Sequence, residues 1–157
     1  MTELTNGYFE MMRDIGIGYE AAKAKRMQEK EEILKRANND ELLKKWYDRE
    51  KNYPFPFSRG QTTAYRAWQE SREFNTEYFE CSDIPWEKDI PDFVATLREA
   101  YIDKFVVTDR STGLMEGLHN LEAAGCTMIS LIKLSKSEKR WGGSETTISP
   151  GILFEIK

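Results

Sequence analysis

A chain of 157 residues is enough for one domain, or one domain with an appendage. Its apolar share is 39% and its charged share 32%, yet seven Tyr, eight Phe and four Trp can supply a core, which excludes a disordered chain. The net charge of −4 and a pI near 5.2 argue against electrostatic binding of a phosphate backbone, and no run approaches the roughly 18 apolar residues of a membrane span. The two cysteines, Cys81 and Cys126, lie far apart and read as free thiols. With no charged-then-apolar leader, they point to a reducing cytoplasm.

From residue 7 to 36 the pattern is that of a long helix, with Gly16 and Gly18 as candidate breaks. Tyr8, Met12, Ile15, Tyr19 and Ala22 recur at steps of four and three, an apolar seam of heptad type that suits either its own domain or a homodimer. The stretch "KAKRMQEKEEILKR" is wet on most sides. "ANND" at 37–40 breaks the helix, with Asn39 or Asp40 capping a short one through "ELLKKWYDREK". Pro54 and Pro56 force extended backbone and close this region. The expected organisation is therefore a helical segment over 1–52 and a compact α/β domain over 53–157.

Ser58 leads into a helix carrying Tyr65 and Trp68 one turn apart. "NYPFPFSRGQTTAYRAWQES" (52–71) reads as a joint and a core anchor. Read instead as a nucleic-acid platform, it offers Arg59, Tyr65, Arg66 and Trp68 for stacking and phosphate contact. "FECSDIPWEKDIP" reads as an extended link, and Pro91 opens a helix with Phe93, Val94, Leu97 and Tyr101 in period. From Glu70 to Asp103 ten acidic residues face three basic ones, a local charge of −7.

The last third alternates more plainly. "DKFVVTD" is a strand, and "RSTGLMEGLHNLEAAG" is a helix capped by Ser111 or Thr112 and stopped at Gly125. "CTMISLIKL" is a second strand with Met128, Ser130, Ile132 and Leu134 on one face. "KSEKRWGGSETTISP" reads as a polar loop before the closing strand "GILFEIK". The fold expected is α+β with an α/β-like C-terminal half: helices, then a small three-stranded sheet made of a β-α-β unit and a C-terminal hairpin.

No motif settles a chemistry. "VVTDRSTG" (106–113) places Asp109 at a strand end before a helix, where open sheets bind ligands, but the spacing is neither a Walker loop nor a dinucleotide fingerprint. His119 has no Ser or Cys at triad spacing. With Cys81 and Cys126 it lacks the paired spacing of a zinc site, so neither metal nor cofactor is expected. Glu77, Glu80, Asp83, Glu87, Asp89 and Asp92 are the carboxylates suited to imitate phosphates toward a basic groove. Lys139, Arg140 and Trp141, on a glycine turn, form a candidate contact tip.

"IPDFVATLREAYIDKFVVTDRSTGLMEGLHNLEAAGCTMISLIKL", ending in "GILFEIK", resembles small proteins of phages and conjugative elements of gut Firmicutes. Some proteins of that kind are anti-CRISPRs that inhibit Cas9. The resemblance implies a non-enzymatic binding protein with a host effector as its partner. Direct nucleic-acid binding and a small enzyme acting through Asp109 are the alternatives.

Overall fold

The computed structural model describes residues 6–157, without the side chains of Lys139 and Arg140. The chain divides into two compact units, one of Met11–Phe57 and one of Ser58–Lys157 with the described residues before Met11.

The helical unit is built on α1 (Gly7–Leu34) and α2 (Asp40–Glu50). Asn6 starts α1, its Oδ1 accepting from the N–H groups of Tyr8 and Phe9. Gly16 and Gly18 do not break the helix, which runs on to Leu34. Asn38 turns the chain at φ 60°, and neither Asn39 nor Asp40 caps α2 through its side chain. Instead, polar side chains join the two helices. Arg26 Nε donates to Glu50 at 2.8 Å, Trp46 Nε1 donates to the Arg26 carbonyl at 3.0 Å, and Arg49 meets Glu29 at 2.5 Å. The Arg26 guanidinium also lies over the Tyr53 and Tyr19 rings, so the extended "YPFPF" segment turns back onto α1.

In the other unit, α3 (Arg59–Glu73) opens on a capping box: Ser58 Oγ accepts from the Gln61 N–H, and Gln61 Oε1 accepts from the Ser58 N–H. β1 (Phe79–Cys81) follows, then a 3₁₀ turn and α4 (Ile90–Glu99), β2 (Lys104–Val107), α5 (Leu114–Ala123), β3 (Cys126–Arg140) and β4 (Gly143–Ile156). The sheet has four strands, ordered β1-β2-β4-β3. β1 is the strand beyond the three expected. At three residues it is too short to show alternation, and Phe79, Glu80 and Cys81 are all buried. β1 runs parallel to β2, and β4 runs antiparallel to both β2 and β3. β2 and β3 are therefore parallel, as the strand-helix-strand pattern implied, but β4 is inserted between them.

Aromatic rings fill the space between sheet and helices. Phe9 stacks on Trp68 at 5.4 Å and on Phe79 at 6.2 Å, while Phe105 contacts Phe93 and Phe154. Gly60 lets α3 and α4 approach closely: a Cβ there would meet Asp92 Cβ and Phe93 N, both at 2.7 Å. Tyr101 leaves the helical period. It lies past the end of α4 at φ 59° and is 95% exposed, and Ile102 enters the core instead.

The expected polar loop over 136–150 is absent, because β3 and β4 continue through it to a tight turn at Trp141-Gly142. Ser, Thr and charged residues fill it, exposed over 144–147 and half-buried at Ser135, Lys136 and Ser137, so no hydrophobic period marks it. A bulge between Met128 and Ser130 places them opposite the neighbouring residues Phe154 and Leu153, which breaks the common face expected for the two.

The hairpin also bends. β1 and β3 are three strands apart, roughly 14 Å in a flat sheet. Yet Lys136 Nζ on β3 lies 2.6 Å from Glu80 Oε2 on β1, and the Ser137 N–H donates to the Phe74 carbonyl at 2.7 Å. The hairpin therefore bends back toward β1, and Val106, Leu134 and Leu153 form a buried cluster with Tyr78 and Ile132 packed against it.

Candidate binding groove

The C-terminal ends of the parallel strands β1 and β2 lie side by side. The chain leaves β1 through Ser82-Asp83-Ile84-Pro85-Trp86 and leaves β2 through Thr108-Asp109-Arg110-Ser111, in front of α5. Asp109 holds the two segments together. Its Oδ2 accepts from the Ile84 N–H at 3.0 Å and its Oδ1 from the Ser111 N–H at 2.7 Å. Burial opposes the charge on this carboxylate, but the hydrogen bonds from Ile84 and Ser111 outweigh it and hold Asp109 below its ordinary range. Ile84 seats on α5 at Gly117, where a Cβ would meet Ile84 Cδ1 at 2.8 Å. No side chain caps α5, whose N-cap is Gly113, so Ser111 and Thr112 do not have the capping role expected of them.

The result is a groove of about 460 Å³ with Trp86 on its rim, 77% exposed. Asp83, Glu87 and Glu116 line it as exposed carboxylates with Asp109 buried among them, and no Lys or Arg is among its lining residues. An indole face beside carboxylates suits an arginine or lysine side chain: the ring quadrupole attracts the cation and the carboxylates accept its N–H groups.

Of the other expected contact residues, Glu77 and Asp92 are exposed and Asp89 half-buried. Glu80 is unavailable to a partner. It is 4% exposed, its carboxylate accepting from the Thr108 hydroxyl at 2.5 Å and meeting Lys136. Trp68 cannot be a nucleic-acid platform, because it is 2% exposed and stacked on Phe9. Tyr65 is half-buried beside it, and Arg59 and Arg66 are exposed on α3. Trp141 is fully exposed at the hairpin turn, while the side chains of Lys139 and Arg140 lie outside the described ones.

His119 is exposed on α5, and no group of His, Cys, Asp and Glu among the described residues could hold a metal ion. Both cysteines are buried free thiols. Burial pushes the Cys126 thiol up to about 11 and raises Cys81 further.

A family model, described as a domain of unknown function, DUF7698, matches residues 63–156. The chain belongs to the DUF7698 family. The matched DUF7698 region holds the four strands and the whole groove, and leaves the helical unit outside it. No curated protein and no solved structure matches the chain. No helix among the described residues is long and apolar enough to cross a membrane.

Two groups in these sites escape sequence reading. Trp86 sits in "DIPWEKD", between two prolines, and a tryptophan in an extended proline-flanked segment is the one signal that marks it. Lys136 becomes a partner of Glu80 only through the bend of the hairpin, which leaves no mark in the sequence.

Proposed function

We propose that this protein is a non-enzymatic binding module whose partner presents a basic surface, and that it acts by occluding that surface. The observation that supports this reading is the groove beside β1 and β2, where Trp86 stands exposed among Asp83, Glu87 and Glu116. Exposed tryptophans anchor interfaces, and an acidic rim steers a basic partner into register and speeds encounter. A surface of this sign repels nucleic acid and competes for the sites where nucleic acid binds.

The partner class that fits is a nucleic-acid-handling effector with a cationic channel, and the resemblance to mobile-element proteins makes Cas9 the first target to test. In that form the protein is a mobile-element inhibitor working in the cytoplasm. The test is binding to guide-loaded Cas9 orthologues together with DNA cleavage in excess protein. Binding, with cleavage lost for wild type and kept for Trp86→Ala, is the expected result. Neither binding nor loss of cleavage by any orthologue would remove Cas9 as the target.

A further inference from the structure

We propose that the outer edge of β3 receives an extended segment of another protein as an added strand, with an acidic residue of that segment opposite Lys133. This edge is separate from the Trp86 groove and from the partner argued for it. β3 stands last in the strand order and pairs with β4 on one side only. In an antiparallel ladder, alternate residues turn both of their backbone polar groups to the same side. The Ser137 N–H points away from β4 and donates to the Phe74 carbonyl. Leu131, Lys133 and Ser135, at steps of two from it, therefore also point their N–H and C=O groups outward. Among the described residues those groups have no backbone partner. An open edge of this kind is a template for one more strand.

The side chains beside the edge are ones that an added strand would cover. Leu131, Lys133 and Ser135 share one face of the hairpin with the residues directly across the ladder, Ile152, Pro150 and Ile148. Leu131 is 81% and Ile148 66% exposed, and Pro150 is exposed with them. The other face carries Ile132 and Leu134 against Val106 and Leu153, which holds the strand in place while its outward face stays bare. Lys133 lies in the middle of this apolar strip, exposed, and forms no ion pair among the described residues.

Lys133 decides the occupant. A second copy added antiparallel about a twofold at Lys133 would set the two ammonium groups directly opposite each other. A twofold at Ile132 would set them on neighbouring diagonal positions of the same face. Like charges so placed oppose pairing, whereas a carboxylate opposite Lys133 favours it by the same rule. Apolar side chains two residues to either side of that carboxylate would then lie opposite Leu131 and opposite Ser135, the latter beside Ile148. The segment that fits is an extended one of the pattern apolar-x-acidic-x-apolar.

The test is amide hydrogen exchange read by NMR on the full chain with a capped peptide, Thr-Val-Thr-Glu-Thr-Val-Thr. Its palindrome places Glu opposite Lys133 in either strand direction. Exchange at Leu131, Lys133 and Ser135 should slow as peptide is added and saturate by about 1 mM. Ile132 and Leu134, already bonded to β4, should change little. A peptide with Lys in place of Glu should bind about 5-fold or more weakly, and Lys133→Glu should reverse that preference. Ser135→Pro removes one outward N–H, a change that edge strands tolerate, and should weaken binding of the Glu peptide with circular dichroism unchanged. No added protection at these three amides, or equal protection by both peptides, would overturn the inference. So would amides already protected in the free chain at concentrations where sedimentation shows a dimer, which would assign the edge to a second copy.

Discussion

Replacing Lys136 by Met tests whether the hairpin is fastened across the sheet. The substitution keeps the length and apolar stem of the side chain and removes the ammonium 2.6 Å from Glu80. Glu80, 4% exposed, is left with the Thr108 hydroxyl as the remaining partner of its carboxylate. Breaking one side of a buried pair costs about 3–5 kcal/mol. The Lys136 side chain is 23% exposed, and the solvent near it reduces the expected loss to about 2–3 kcal/mol. Combining Lys136→Met with Glu80→Gln removes the stranded charge while keeping a group that can bond Thr108, so the double variant should lie within about 1 kcal/mol of wild type. Urea unfolding followed by circular dichroism at neutral pH, with an unchanged slope, reads both values. A single-variant loss below about 0.5 kcal/mol, or a double-variant loss equal to the sum of the singles, would refute the fastening.

Three further outcomes follow from local geometry. Asp109→Asn should cost about 1–2 kcal/mol at neutral pH, because the amide can accept from only one of the Ile84 and Ser111 N–H groups. Because the folded carboxyl titrates below its ordinary 3.8, its contribution is present above about pH 4 and is lost as pH falls through the lower folded value. The gap between wild type and variant should therefore close in acid, and a gap constant down to about pH 2 contradicts this. Gly60→Ala should lower stability by about 1–3 kcal/mol, seen as a reduced Tm, because its Cβ meets the α4 backbone. Native protein at pH 8 should show neither thiol to an aromatic disulfide reagent, while urea exposes both; rapid native labelling of Cys126 would show that its burial is wrong.

How much could be read in advance follows from which forces are local. The helix starting at Ser58 and the stop at Gly125 were legible because capping and left-handed turns are written into single residues. The strands at 104–107 and 152–156 were legible because burial gives them continuous apolar runs. β1 was not, since three residues carry no period and its pairing partner lies about 25 positions away. The outer half of the hairpin has the pattern of a loop because its strands are polar throughout and Gly142-Gly143 looks like the middle of one. In the site, the strand-end location around Asp109 was visible from the strand-to-helix switch. The fate of Glu80 was not, because nothing near it in sequence announces a lysine 56 positions on. Trp68 was legible as a core anchor from its place one turn from Tyr65, but its stacking partner, Phe9, comes from the N-terminal region and was not.

The claim that Trp86 and its carboxylates form a receptor for cationic side chains is tested most directly by two-dimensional amide NMR, titrating the full chain with an arginine-rich octapeptide at physiological salt. Saturable shifts should concentrate at Asp83–Glu87, at the Trp86 indole N–H and along the Glu116 face of α5. They should be at least 10-fold weaker in Trp86→Ala, a loss on the order of 1.4 kcal/mol or more. Shifts spread evenly over Glu77, Asp92, Glu99 and the other surface carboxylates, or saturation unchanged in Trp86→Ala, would contradict the groove as the binding site.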